Sequence, residues 1–351
     1  GSQIWGSASS ADLDGDGYLE FAISSKSKHL YIFDHTGLKL DYETEVYLIG
    51  TPAIGNLDDD EGMEIVFSGY SSNNKLFVIN PDGSDVNGFP LDLGEKAKAG
   101  PALADFNGNG RDDIVLGTDD DHIYLIYDDG STAPGFPFTA SDKFQAAPSI
   151  LDIGGEKIIF AGNNDDYLYA INSDGSLRFS ILTGDQVNTS PAFTEINGSL
   201  YVLFGSKDDQ IYAVDMEGNA LGGWPIMLDG NIERGIVFSD LNGDSLTEIV
   251  TVTEAGSVSV FHLDGNPYHH FPISNGLPFT GPAIIVDLDN DSDLEILGGS
   301  LNSLVVIDVK DLGSQINYWN MFRGNQQRTG YFLYSGGSEC SVELGDVNGD
   351  T

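Results

Sequence analysis

Short apolar runs separated by polar turns recur along the whole chain, and their pattern predicts β-strands rather than helices. One kind of run alternates aromatic and aliphatic residues, as in residues 30–33, 123–126, 168–171 and 211–214. Another kind carries an aromatic residue followed by proline, as in Phe136-Pro137. Proline cannot donate to a strand ladder, so we expect these pairs on outer edge strands.

A polar phrase recurs between the strands. It has an acidic or amide residue at positions 1, 3 and 5, an apolar residue at position 2 and a carboxylate at position 9. Its five copies begin at residues 12, 56, 105, 240 and 287. The steps are 44, 49 and 47 residues, and the remaining gap of 135 residues is three times 45. The gap therefore contains two further repeats that lack the phrase.

Both hidden repeats carry a two-residue hairpin signal where the phrase would stand. The signals are Gly154-Gly155 and Asn197-Gly198, each between two apolar runs. This replacement places the phrase in a β-hairpin between the first and second strands of a repeat. Four-stranded units of about 40–50 residues, repeated four to eight times, form β-propellers.

We therefore predict an all-β fold, a seven-bladed β-propeller of four-stranded antiparallel blades over residues 3–334. The phrase lies in the hairpin between the first two strands of blades 1, 2, 3, 6 and 7. The seventh repeat lacks the aromatic-proline pair, and residues 318–322 are expected to supply its fourth strand. Residues 335–339, which include Ser335 to Ser338, have the composition of a flexible linker.

The chemistry of the phrase indicates a calcium site. Carboxylate and amide oxygens suit a hard cation with six to eight oxygen ligands, and magnesium takes fewer protein ligands. No copy contains His or Cys, which disfavours zinc and copper. Position 12 carries no glutamate, so the loop is not an EF-hand. About five Ca²⁺ ions are expected, with position 7 contributing its backbone carbonyl.

The predicted ligands occupy positions 1, 3, 5, 7 and 9 of each copy. They are Asp12, Asp14, Asp16, Tyr18 and Glu20; Asn56, Asp58, Asp60, Gly62 and Glu64; Asp105, Asn107, Asn109, Arg111 and Asp113; Asp240, Asn242, Asp244, Leu246 and Glu248; Asp287, Asp289, Asp291, Asp293 and Glu295.

The phrase, with a Pro-Ala-type strand before it and a strand after it, resembles the FG-GAP/VCBS repeats of integrin α-subunit heads and of secreted bacterial propellers. The resemblance implies structural calcium loops on the face away from the ligand-binding loops. Copies 2, 6 and 7 depart from it at position 6, where Glu61, Ser245 and Ser292 replace glycine. A bend with positive φ there would weaken those sites.

The end of the chain carries a second resemblance. Residues 340–351 include Asp346, Asn348 and Asp350 at positions 1, 3 and 5 of what looks like the opening of a dockerin calcium loop. The resemblance implies a truncated dockerin-like module and a cohesin-type partner. Together with the calcium loops, it implies an extracellular or cell-surface protein.

Charge excludes some partners. The chain has a net charge of −40, which opposes binding to nucleic acid. No apolar run approaches the roughly 18 residues of a membrane-spanning helix, so no membrane insertion is expected. The single cysteine, Cys340, leaves metal rather than disulfides to stabilise the fold. A monomer is expected.

The loops opposite the phrase carry 8 of the 15 Lys and Arg residues. This placement favours a glycan or protein ligand on that face, such as an acidic glycan met by a recognition, adhesion or scaffold domain. The residues are Lys26, Lys28, Lys75, Lys96, Lys98, Lys143, Lys207 and Arg234.

An enzyme is the alternative, a polysaccharide lyase or glycosidase with its site on the same face. The candidate catalytic residues are His122, Tyr167 and Lys143. Nucleophile-elbow and zinc-protease motifs are absent from the sequence. Both classes of function remain open at this point.

Overall fold

The computed structural model describes residues 3–60, 62–71, 74–196, 198–316 and 318–334. These ranges form 28 β-strands in seven sheets. No helix in the described ranges is long and apolar enough to cross a membrane. The predicted linker and dockerin-like segment, residues 335–351, lie outside the described residues.

The first four blades comprise β1 (Ser9–Ala11), β2 (Glu20–Ser25), β3 (His29–Asp34) and β4 (Gly37–Glu43); β5 (Ala53–Gly55), β6 (Glu64–Ser68), β7 (Lys75–Ile79) and β8 (Leu91–Asp92); β9 (Ala102–Ala104), β10 (Asp113–Gly117), β11 (His122–Ile126) and β12 (Phe138–Thr139); β13 (Ser149–Ile153), β14 (Glu156–Gly162), β15 (Tyr167–Asn172) and β16 (Leu177–Leu182). The last three comprise β17 (Ala192–Ile196), β18 (Ser199–Gly205), β19 (Gln210–Asp215) and β20 (Ile226–Met227); β21 (Ile236–Ser239), β22 (Glu248–Val252), β23 (Ser257–His262) and β24 (Ile273–Ser274); β25 (Phe279–Val286), β26 (Asp293–Ser300) and β27 (Leu304–Leu312), followed by β28 (Tyr331–Tyr334).

Each blade is an antiparallel meander whose strands follow chain order from the axis outward. The polar phrase lies between the first two strands, as predicted, and its position 9 begins the second strand in four of the five copies, as at Glu20 and Glu64. Buried apolar clusters join consecutive blades from blade 1 through blade 7. The predicted seven-bladed β-propeller is therefore confirmed.

Blade 7 departs from the four-stranded prediction, because its sheet contains β25, β26 and β27 only among the described residues. The assignment of residues 318–322 to its fourth strand is wrong. Trp319 O instead accepts a hydrogen bond from Phe238 N at 2.8 Å, and Asn320 O accepts one from Ile285 N at 2.8 Å. Both donors lie in the first strands of their blades, so this segment runs along the axis of the ring.

The axial segment, residues 318–334, contacts six blades in ring order. Its carbonyls accept hydrogen bonds of 2.8–3.0 Å from first-strand N–H groups of blades 6, 7, 1, 2, 3 and 4 in turn. The remaining N–H donors are those of Ser10, Ile54, Leu103 and Ile150, and they bind the carbonyls of Gln326, Gln327, Thr329 and Gly330, respectively. The segment then ends as β28, which pairs in parallel with β13.

A buried arginine, Arg323, and a half-buried one, Arg328, fix the axial segment. Arg323 is 1% exposed and donates to the carbonyls of Gly100, Pro101, Arg328 and Thr329. Arg328 donates to Ala8 O at 3.1 Å. Burial lowers the pKa of Arg323, and carbonyl oxygens rather than carboxylates satisfy its guanidinium within the described chain. The planar guanidinium group of arginine carries five N–H donors in a fixed geometry, so it can bind several carbonyl oxygens at once.

The seam between blades 7 and 1 differs from the others. At position 10 of the phrase, Ile65, Ile114 and Ile249 are 0% exposed because each packs on the preceding blade. The equivalent Phe21 of blade 1 is 47% exposed, and Val306 of blade 7 is also 47% exposed. No buried apolar cluster spans this seam in the described part of the chain.

A pair of matched substitutions tests the open seam. Ile65→Ala removes fully buried atoms and should lower the free energy of unfolding by about 2–5 kcal/mol. Phe21→Ala removes more atoms at the same register position but should cost about 1 kcal/mol or less, because its ring is half in solvent. Chemical denaturation in calcium buffer measures both, and an equal loss would mean that the seam is closed in solution.

The axial segment gives a second test. Arg323→Lys retains the charge but cannot reach four carbonyls, so it should lower the free energy of unfolding by about 2–4 kcal/mol. The control is Arg178→Lys in β16, a solvent-exposed ion pair with Glu156, which should change stability by about 0.5 kcal/mol or less. Equal small effects from both variants would contradict the structural role of Arg323.

Candidate metal centres

Four of the five polar phrases curl around the carboxylate at their first position, whereas Asn56 Oδ1 of copy 2 accepts no hydrogen bond within the described residues. In copy 1, Gly15 N–H donates to Asp12 Oδ1 at 2.8 Å and Gly17 N–H donates to Asp12 Oδ2 at 2.9 Å. Asp105, Asp240 and Asp287 accept equivalent bonds in copies 3, 6 and 7. The loop backbone is therefore shaped by its own carboxylate, as in an Asx-turn.

Position 6 of the loop requires a left-handed backbone. Gly17 has φ +86°, and Ser245 and Ser292 have φ +65° and +74°. The two serines therefore occupy a conformation that costs a residue with Cβ more than glycine, as the sequence predicted. Glu61, the third departure, lies outside the described residues.

The carboxylate at position 9 uses one oxygen to close the loop. Glu20 Oε2 accepts Leu13 N–H at 2.8 Å, and Glu64 Oε2 accepts Leu57 N–H at 2.6 Å. The same bond occurs in the other three copies. The apolar side chain at position 2 is buried or half-buried beneath the loop in copies 1, 2, 3 and 6, whereas Leu288 of copy 7 is 56% exposed.

Buried oxygens without a hydrogen-bond partner separate the copies into two groups. Glu20 Oε1, Glu64 Oε1, Asn56 Oδ1 and Asp293 Oδ1 are buried and have no hydrogen-bond partner within the described residues. An unpaired buried acceptor costs roughly 1–3 kcal/mol, and more when it is charged. These atoms belong to copies 1, 2 and 7, where a bound cation would satisfy them.

The same three copies gather carboxylates. Oxygens of Asp12, Asp14 and Glu20 lie within 4.8 Å of one another, and so do those of two further sets. The further sets are Asp58, Asp60 and Glu64, and Asp289, Asp291, Asp293 and Glu295. Oxygen ligands at about 2.3–2.6 Å from one Ca²⁺ fit this spacing. In copy 1, Lys39 also contacts Asp14, so a cation there meets a competing ammonium.

The electrostatics of copies 2 and 7 favour a cation. Burial, together with the charges of Asp58 and Asp60, raises the pKa of Glu64 to about 7. Burial also raises the pKa of Asp293 to about 6, together with its neighbour Asp291. Position 7 was expected to offer a backbone carbonyl only, so the Asp293 side chain is an addition that only the structure places in the cluster.

In copies 3 and 6, protein donors satisfy the second oxygen of the carboxylate at position 9. Asp113 Oδ1 accepts Asn107 Nδ2–H and Asp128 N–H, both at 3.1 Å. Glu248 Oε1 lies 3.1 Å from His262 Nδ1. Asn replaces Asp at position 3 in both copies, at Asn107 and Asn242, which is the sequence signal that separates them.

The remaining predicted ligands keep the positions that the phrase gives them. Asp16, Asn109 and Asp244 at position 5 accept N–H bonds from the residues at position 7, Tyr18, Arg111 and Leu246. In copy 2, Asp60 likewise accepts from Gly62 at position 7. Arg111 also forms ion pairs with Asp59 and Asp128, which places a guanidinium beside copy 3.

The opposite face holds the predicted cations. Lys26, Lys28 and Lys96 lie over aromatic rings, at 4.1 Å from Trp5, 5.5 Å from Tyr47 and 5.7 Å from Tyr70. Lys207 Nζ lies 2.8 Å from Glu233 Oε1. These lysine–aromatic pairs were not visible in the sequence, because their members lie far apart in the chain.

The contacts of the candidate catalytic residues are made with other residues and not with one another. His122 Nδ1 lies 2.9 Å from Glu95 Oε1, and Tyr167 stacks beside Tyr169 at 5.8 Å. No hydrogen bond or ion pair joins His122, Tyr167 and Lys143 among the residues that the structure describes. The catalytic assignment stays a prediction that the geometry does not favour.

Comparisons with known proteins identify the fold. No family model matches the sequence, and no curated protein matches it. BamB from Moraxella catarrhalis is 13% identical, with a TM-score of 0.65 over 92% of this chain and 90% of that chain. BBS1N in complex with ARL6DN is 14% identical, with a TM-score of 0.61 over 89% and 94%. The V. cholerae biofilm matrix protein Bap1 is 12% identical, with a TM-score of 0.64 over 87% and 77%.

These neighbours share a propeller-like fold with this chain. At 12–14% identity the likeness concerns the fold alone. The polar loops and the opposite face are therefore interpreted from this chain's own residues.

The two groups of loops should differ in calcium affinity. Copies 1, 2 and 7 should bind more tightly than copies 3 and 6, whose second oxygens already have donors. Glu64→Gln should remove one tight site in a calorimetric titration of the metal-free protein. Glu248→Gln, the matched change in copy 6, should leave the tight sites unchanged. Loss of a tight site from Glu248→Gln alone would contradict the grouping.

Proposed function

We propose that this chain is a non-catalytic, calcium-stabilised β-propeller of the FG-GAP/VCBS type that acts as an extracellular binding domain. The observation that carries the proposal is the set of buried, unpaired carboxylate and amide oxygens in the polar loops of blades 1, 2 and 7. A cation is the simplest group that satisfies all of them at once.

Calcium would have a structural role. Each loop links the first and second strands of a blade, and its carboxylates repel one another without a counter-ion. Bound Ca²⁺ supplies positive charge there, and the chain's own contribution is to curl the loop and exclude water from the position-9 oxygen. Extracellular sites of this kind bind at roughly 10⁻⁴–10⁻³ M, which suits a secreted protein.

The binding partner is proposed to meet the face opposite these loops. One propeller neighbour was solved in complex with another protein, ARL6DN, which supports a protein-interaction role for such a fold. The lysines that lie over aromatic rings on that face also suit a glycan. We further propose that residues 340–351 begin a dockerin-like module with a cohesin-type partner; these residues lie outside the described part.

Removal of metal tests the proposal. EDTA should lower the midpoint of thermal unfolding by roughly 10 °C or more, because the ions bind only the folded loops. Added Ca²⁺ should restore the midpoint, and an equal concentration of Mg²⁺ should restore it less. Differential scanning calorimetry on the full chain measures all three states.

The control separates specific binding from general charge screening. Choline chloride at matched ionic strength should leave the EDTA-treated midpoint low. An unchanged midpoint in EDTA would contradict structural calcium, and full recovery with choline chloride would show that screening alone relieves the loop charges.

A further inference from the structure

A funnel opens at the axis on the face away from the polar loops. Its volume is about 710 Å³, within the range of small-molecule sites. The axial segment contributes Phe322 to its lining. Every blade contributes residues at or just before its first strand, including Gly6, Gly50, Gly100, Ala147, Ser190, Arg234 and Gly281.

The funnel contains a lysine without an acidic partner. Lys98 Nζ donates to the neutral Gln145 Oε1 at 3.2 Å, and no described carboxylate oxygen lies within 4.0 Å of it. Burial lowers the pKa of Lys98. The acid Glu233 also lines the funnel, but its Oε1 lies 2.8 Å from the ammonium of Lys207, which is not a lining residue. A half-buried ammonium in this position lacks the anion that would compensate its desolvation.

Two more polar atoms of the lining lack partners. Arg234 Nε is a buried donor with no acceptor among the described residues, and Asn188 Oδ1 is a buried acceptor with no donor. Both residues line the funnel together with Lys98. Arg234 forms ion pairs through Nη2, which lies 3.5 Å from Glu254 Oε1 and 4.0 Å from Glu233 Oε2, so only its Nε is unpaired. The lining therefore offers the Lys98 ammonium, one guanidinium N–H and one neutral acceptor, which match a carboxylate with a neighbouring hydroxyl.

An aromatic ring completes the lining. Trp5 is 57% exposed and forms part of the funnel wall, with Lys26 Nζ lying 4.1 Å from the ring centroid. An exposed indole offers a flat apolar surface to the C–H face of a sugar ring. An acidic peptide would use the cations but would need neither this surface nor a hydroxyl acceptor, so a sugar fits better.

We propose that the funnel binds a carboxylate-bearing sugar residue of a uronate-containing glycan. Lys98 and Arg234 bind the carboxylate, Asn188 accepts a hydrogen bond from a hydroxyl group, and Trp5 packs against the ring. This inference rests on the proposed function in one respect, since it names the ligand class for the same face. It depends on neither calcium nor the dockerin-like segment.

The test uses the full chain in calcium buffer and three probes in calorimetric titrations. Trigalacturonate should bind, its fully methyl-esterified form should bind at least about tenfold more weakly, and triglutamate should not bind. Lys98→Met and Trp5→Ala should each weaken trigalacturonate binding at least about tenfold. Arg178→Met removes one positive charge from the distant β16 and should leave the affinity unchanged. Thermal melts confirm that each variant is folded.

Several results would overturn the inference. Equal binding of trigalacturonate and its ester would exclude carboxylate recognition, and equal or tighter binding of triglutamate would identify an acidic peptide as the ligand. Binding unchanged in Lys98→Met and in Trp5→Ala would place the site elsewhere. If trigalacturonate fails to bind while a protein or other glycan is captured through Lys28 and Lys96, the funnel inference fails and the proposed function stands.

Discussion

The structure depends on satisfying the backbone N–H groups that face the axis of the ring. A propeller's first strands have one edge without a neighbouring strand, and buried donors without partners are costly. The axial segment supplies carbonyls to six of the seven first strands and passes from Asn320 to Gln326 between blades 7 and 1. The ring is therefore closed at its axis, which explains how the 7–1 seam can leave Phe21 and Val306 half exposed.

The axial segment also separates the two faces of the molecule. At one end the hairpin loops gather carboxylates whose charges need a counter-ion, and at the other end Phe322 forms part of a funnel with unpaired cationic donors. Although the chain has a net charge of −40, its two faces therefore differ in the charge of the groups that lack partners. Calcium would stabilise the first face, and an anionic ligand would complement the second.

The sequence predicted the repeat, the strand order and the placement of the polar phrase, because each depends on residues close together in the chain. It set copies 2, 6 and 7 apart by the residue at position 6, and Ser245 and Ser292 there do have positive φ. The buried unpaired oxygens in the structure divide the copies differently and group copies 1, 2 and 7. Asp128 and His262 supply the protein donors in copies 3 and 6, and neither belongs to the phrase. Residues 318–322 were assigned wrongly, because an irregular segment has no period that reveals its partners.

The sequence by itself determined seven strand repeats, an oxygen-rich hard-cation motif in five of them, and a surplus of lysines on the opposite loops. Local hydrogen bonding and side-chain alternation are sufficient for these features. Only the tertiary structure decided which oxygens remain unpaired, how the ring closes, and which of the eight cations share one funnel. Those features depend on residues such as Gly100 and Arg323, which are brought together by the folded ring and not by their order in the chain.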